Sequence, residues 1–211
     1  MINLIFDLDG CLIDSTEVQK AAFYGSYKEI VGDDCCPPYE EYIKYTGDSI
    51  SNVFKKMKLP DEMVDSYRNI SSKLIDKIVI NNECVELIKK ARMNGSKISI
   101  CTGKDHYRAF EILKYFNIEE LFDALVSSDD VDEPKPSPLS ILTAIDKMGV
   151  KKETCVVIGD GYNDIIAAKK AGVKSVLTLW YGDVGVARIS DAVVETVQEL
   201  KSILFKWGLD I

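Results

Sequence analysis

The sequence predicts an α/β fold, a doubly wound parallel sheet interrupted by a helical insertion, and three observations point to it. Short apolar runs recur along the chain, glycine-closed helical patterns separate the later runs, and residues 15–82 break that alternation.

The first run, Ile2 to Phe6, has the near-continuous apolar character of a strand covered on both faces. Lys97 to Cys101, Ala124 to Val126, Cys155 to Ile158 and Ser175 to Leu179 read the same way. Helices are expected at Glu83 to Asn94, closing at Gly95, and at Asp105 to Phe116, with an apolar stripe through Ala109, Leu113 and Phe116. Two more are expected at Ser137 to Met148, closing at Gly149, and Tyr162 to Ala171, closing at Gly172. Between Ser15 and Asn82 the pattern is helical without a convincing strand: Glu17 to Val31, Tyr39 to Tyr45, Ser49 to Met57 and Asp61 to Ile78. Gly32, Pro37-Pro38, Gly47 and Pro60 punctuate them. The expected organisation is a core of residues 1–14 and 83–211 with a helical cap over 15–82.

A chain of 211 residues, 46% hydrophobic and 28% charged, is large and apolar enough to bury a core. Its net charge of −8 argues against general affinity for nucleic-acid phosphates or anionic membranes, so the expected partner is a small molecule. The first residues lack the basic start and apolar stretch of a signal peptide, and no run approaches the ~18 apolar residues of a membrane span. Cytoplasmic localisation is the expectation. The six cysteines form no CxxC pair, and Cys101 and Cys155 fall in strand-like runs, as reduced core thiols would. His106 is the single histidine, which excludes a His-rich zinc site.

Four sites follow predicted strands. In Phe6-Asp7-Leu8-Asp9-Gly10, two carboxylates at i and i+2 can converge on one hard cation beyond the strand's carboxyl end. Thr102-Gly103-Lys104 offers a hydroxyl and free backbone N–H groups at a helix start, a natural phosphate seat. Pro134-Lys135-Pro136 fixes a lysine in a stiff loop. In Gly159-Asp160-Gly161-Tyr162-Asn163-Asp164, the two aspartates stand one helical turn apart and can face the same cation. Each site alone also reads as a plain turn, helix cap or connector.

The order DxDG, Thr-Gly, Lys-Pro, GDxxxD resembles the four motifs of the haloacid dehalogenase (HAD) superfamily, and the helical segment after the first motif sits where that superfamily carries its type 1 cap. The resemblance implies a Rossmann-like core and an α-helical cap, as in phosphoglycolate phosphatases and β-phosphoglucomutases. It implies Asp7 as nucleophile, Asp9 as general acid and base, and Thr102, Gly103 and Lys135 as phosphate ligands. Mg²⁺ would be bound by Asp7, the Asp9 backbone carbonyl and Asp160, with Asp164 in support. A carboxylate attacking a phosphate meets repulsion on the order of 4 kcal/mol per charge pair at ~4 Å and a dielectric of ~20, which explains the need for the lysine and the metal. The implied activity is hydrolysis of a small phosphomonoester by a monomer or small homo-oligomer.

Alternatives stay open at this point. A β-phosphoglucomutase-like phosphomutase carries a cap histidine where this chain has Gln19. A phospho-signalling receiver uses similar residues in a different order, and a non-catalytic binding protein can share the fold. The stretches Glu29-Ile30-Val31-Gly32-Asp33 and Tyr39-Glu40-Glu41-Tyr42 and the Leu59-Pro60 region are similar to HAD phosphatases associated with 3-amino-5-hydroxybenzoate biosynthesis. Thr46, Asp48, Arg68 and Lys73 are the candidate substrate contacts from the cap.

Overall fold

The computed structural model describes residues 2–45, 47–181 and 189–209. Its centre is β1 (Asn3–Phe6), flanked in a six-stranded parallel sheet by β4 (Ile98–Cys101) and β6 (Cys155–Gly159). Beyond them lie β5 (Ala124–Val126) on one side and β7 (Lys174–Thr178) and β8 (Ala192–Val194) on the other. Phe6 is paired with both Ile100 and Ile158, so the carboxyl ends of three strands finish level at one edge.

Strand alternation splits the core into two layers. Leu4, Phe6, Val156 and Ile158 pack with α5 (Asn82–Met93), α6 (His106–Tyr115) and α9 (Val197–Lys206). Ile5, Cys155 and Val157 pack with α7 (Leu139–Met148) and α8 (Tyr162–Ala171) on the other face. Gly149 and Gly172 close α7 and α8 in the left-handed conformation, which a residue without Cβ adopts without strain. Cys101 and Cys155 are free and buried, and burial pushes their thiols up to about 12 and about 11.

A two-stranded antiparallel ribbon, β2 (Ile13–Asp14) with β3 (Val79–Ile80), takes the chain out of the sheet and back. Between its strands run α1 (Thr16–Ile30), α2 (Tyr39–Ile43), α3 (Ile50–Lys56) and α4 (Met63–Lys73). These helices enclose a hydrophobic cluster of their own, including Phe23, Tyr39, Tyr42, Phe54, Met63 and Tyr67.

Three departures from the sequence expectation stand out. The helix expected from Asp61 to Ile78 is shorter, because Leu74 and Ile75 pack against the sheet's core and the chain tightens into a 3₁₀ turn at Ile75–Lys77. The ribbon strands have two residues each, too few to show a period. β8 and α9 complete the far edge of the sheet beyond the last expected strand. No helix among the described residues is long and apolar enough to cross a membrane.

Candidate active site

A cavity of about 520 Å³ lies between the carboxyl ends of β1, β4 and β6 and the helical insertion. Asp7 comes directly after β1, and its N–H donates to Ile158 O at 2.8 Å, extending the ladder by one residue and fixing the buried carboxylate at the strand end. The chain then folds tightly: Leu12 and Ile13 N–H both donate to Leu8 O, and Gly10 N–H donates to Ile13 O. Gly10 has φ +66°, and a Cβ there would stand 1.8 Å from Asp160 Oδ2, so only glycine lets the loop lie against that carboxylate.

Asp9 points to the insertion side. Its Oδ2 is 2.8 Å from Lys104 Nζ, while Oδ1 accepts from the Ser15 hydroxyl and, at 3.3 Å, from Gln19 Nε2. Thr102 is buried just after β4, with its N–H on Val126 O. At Gly103 the insertion lies directly against the core, because a Cβ there would meet Gly47 O at 2.6 Å.

Lys135 is almost completely buried, and its three ammonium protons have three acceptors: Asp7 Oδ1 at 2.8 Å, Asp164 Oδ1 at 2.5 Å and Cys101 O at 2.9 Å. Burial opposes its charge, but Asp164 and Asp7 outweigh burial and hold the lysine above its ordinary pKa. Asp160 directly follows β6, and Asp164 sits in the first turn of α8, where its Oδ2 accepts from Gly161 N–H. Carboxylate oxygens of Asp7, Asp160 and Asp164 lie within 4.8 Å of one another. Burial, with Asp164's repulsion added and Lys135 opposing, pushes Asp7 up to about 7; Asp160 is raised by burial and by Asp7 and Asp164. An all-oxygen acidic set with this surplus of negative charge fits a hard divalent cation.

The residues named from the core motifs thus come together in one place. Those named from the insertion divide. Thr46 lies outside the described residues. Asp48 lines the cavity, but its carboxylate accepts from Ser49 N–H and Asn52 Nδ2 and pairs with Lys56 Nζ at 2.7 Å. Lys73 is exposed and does not line the cavity, whereas Arg68 does. Lys73 stands five positions after Arg68 on α4, which turns it about 140° away. The site also contains Lys104, Ser15 and Arg108. Lys104 was within reach of sequence reasoning, being next to Thr102-Gly103. The buried hydroxyl pair of Tyr42 and Tyr67, 2.8 Å apart on the same wall, joins two helices and leaves no spacing signal.

The sequence pattern of the haloacid dehalogenase-like hydrolases matches residues 4–178, a span containing this whole site. The chain belongs to that family. The resemblance read from the four motifs therefore holds for family and for fold. This HAD-like hydrolase is similar to the pyrophosphatase PpaX of Halalkalibacterium halodurans, with 33% identity over 176 residues, 82% of this chain and 81% of that one. Among solved structures it is similar in fold to a hydrolase from Pseudomonas syringae, with a TM-score of 0.83 and 24% identity, covering 98% and 99% of the two chains. It is likewise similar to CbbY from Rhodobacter sphaeroides in complex with phosphate, with a TM-score of 0.84 and 23% identity over 95% and 96%.

Proposed function

We propose that this HAD-like hydrolase is a Mg²⁺-dependent phosphatase acting on a small phosphate compound through a phosphoryl-aspartate on Asp7. The observation that carries the reading is the division of labour between two carboxylates two residues apart. Asp7 is buried against Lys135 beside Asp160 and Asp164, while Asp9 is turned to the opposite side and held by Lys104, Ser15 and Gln19.

In this reading a carboxylate oxygen of Asp7 attacks phosphorus, the bridging P–O bond breaks, and Asp9 gives its proton to the departing oxygen. Asp9 then takes a proton from water as the water attacks phosphorus, which releases inorganic phosphate and restores Asp7. Thr102, the Gly103 backbone and Lys135 receive the phosphoryl oxygens. Asp7, Asp160 and the Asp9 backbone carbonyl would hold Mg²⁺, with Asp164 in support, and the bound ion supplies positive charge that offsets the meeting of two anions. Residues 15–82 act as a cap that excludes bulk water and selects the leaving group.

Gln19 argues against the mutase alternative, because the residue in place of the expected histidine is an amide bonded to Asp9 and Ser15. A second reading of the substrate, inorganic pyrophosphate, is favoured by the 33% identity to a pyrophosphatase. The net charge and the enclosed site support a small-molecule substrate rather than nucleic acid or membrane, for a cytoplasmic monomer or small homo-oligomer. The test is phosphate release with and without Mg²⁺ across sugar phosphates, phosphoglycolate and pyrophosphate. Mg²⁺-dependent release from any of them supports the phosphatase, and isomerisation of a hexose 1-phosphate without release overturns it.

A further inference from the structure

Apart from Lys135, a second group of cations lies at the cavity. Lys104, Arg68 and Arg108 all line it and gather around the start of α6. Asp105, the N-cap, accepts from Arg108 N–H at 2.9 Å and from Arg68 Nε at 2.9 Å. The residue before it, Lys104, reaches Asp9 Oδ2 at 2.8 Å. Arg108 is only 6% exposed. Its terminal nitrogens donate to Ser71 O at 2.6 Å and Glu111 Oε2 at 2.5 Å, with Ser72 Oγ at 3.5 Å, yet its Nε–H has no hydrogen-bond partner among the described residues. Buried guanidinium donors are almost always paired, so this one, on a side chain that lines the cavity, is left for an acceptor that the described residues do not supply.

The position of the group says which part of a substrate it faces. With Asp9 as proton donor to the leaving oxygen, whatever lies on the Lys104 side of Asp9 faces the leaving group, and Lys135 grips Asp7 on the other side. Each of these cations has a carboxylate beside it: Lys104 has Asp9, Arg108 has Glu111, and Arg68 has Asp105 at 2.9 Å and Asp65 at 3.8 Å.

We propose that Arg108, Arg68 and Lys104 form a subsite for an acidic group on the leaving part of the substrate. The substrate then bears the phosphoryl group that is transferred and, a short distance away, a second anion, either carboxylate or phosphate. This rests on the phosphatase reading and narrows it: neutral sugar or polyol monophosphates become the poorer substrates.

The experiment compares kcat/KM of the Mg²⁺-loaded protein for 2-phosphoglycolate, pyrophosphate and p-nitrophenyl phosphate, and the affinity of the Asp7→Asn protein for the same three compounds. At least one acidic compound is expected to exceed the neutral-leaving ester by roughly 10- to 100-fold, the effect of one or two charge-assisted hydrogen bonds. Whether 2-phosphoglycolate or pyrophosphate leads identifies the second anion as carboxylate or phosphate. Arg108→Met and, should that variant fail to fold, the half-exposed Arg68→Met reduce the ratio of acidic to neutral kcat/KM, and Arg108→Lys restores part of it. Equal values for acidic and neutral compounds in both turnover and binding overturn the subsite while leaving the phosphatase standing. Preferential binding of an acidic compound without turnover of any compound supports the subsite and overturns the phosphatase.

Discussion

The ammonium of Lys135 lies 2.5 Å from Asp164 Oδ1, and both side chains are almost wholly buried. Asp7 occupies a second proton of the same ammonium at 2.8 Å. Removing one member of a buried charge group leaves the others uncompensated, which typically costs about 3–5 kcal/mol. Lys135→Met is therefore expected to lose stability on that order in metal-free denaturant unfolding, and to recover part of it when Mg²⁺ is added. A loss under about 1 kcal/mol in metal-free protein would show that this lysine does not hold the buried cluster together.

The same cluster sets a pH dependence in protein stripped of divalent ions. Asp7 is raised from an ordinary 3.8 to about 7, so between these pH values the unfolded chain has already lost a proton that the folded state keeps. The stabilising contribution of this group is complete below about pH 4 and is lost as pH rises through about 7. Bound Mg²⁺ favours the ionised form and opposes that loss. The rise in Tm on adding Mg²⁺ is expected to grow from pH 5 to pH 8, read by thermal unfolding in chelator and in Mg²⁺. A rise that is constant or shrinks over that range contradicts the linkage.

Gly10→Ala tests how closely the first loop and the fourth motif are packed. The added methyl would overlap Asp160 Oδ2, and φ +66° strains any residue with a Cβ. The expected result is weaker Mg²⁺ binding together with a lower Tm, measured by calorimetry and thermal melts. Unchanged metal affinity would place Asp160 outside the cation site.

The strands were legible because buried parallel strands announce themselves as apolar runs, and β1, β4, β5, β6 and β7 all do. β8 was not, because an edge strand of three residues with Val193 exposed carries neither a run nor a full alternation. At the site, the four motifs mark Asp7, Asp9, Thr102, Lys135, Asp160 and Asp164, since chemistry-bearing residues directly after strands stand out against apolar neighbours. Lys73 misled because a helix period says which residues share a face, but not which face meets the cavity. Arg108 was hidden for the converse reason: its burial depends on Ser71, a contact made only when α4 meets α6.

Asp9→Asn separates the two carboxylates. The proposed metal ligand at this position is the backbone carbonyl, so Mg²⁺ affinity is expected to stay within a few-fold of the parent. Loss of the proton donor is expected to lower kcat by roughly 100- to 10,000-fold. Steady-state kinetics beside calorimetric Mg²⁺ titration decides it, and loss of the metal with full kcat at saturating Mg²⁺ would contradict the acid and base role.

The central claim is that Asp7 carries the phosphoryl group, and acid quenching within the first turnover on a phosphorus-labelled substrate, followed by peptide mapping, addresses it directly. The account predicts label on the peptide containing Asp7, decaying at a rate compatible with kcat, and none in Asp7→Asn, whose amide is nearly isosteric but cannot attack. Steady turnover with no label at any time, or label on a different residue, would contradict it.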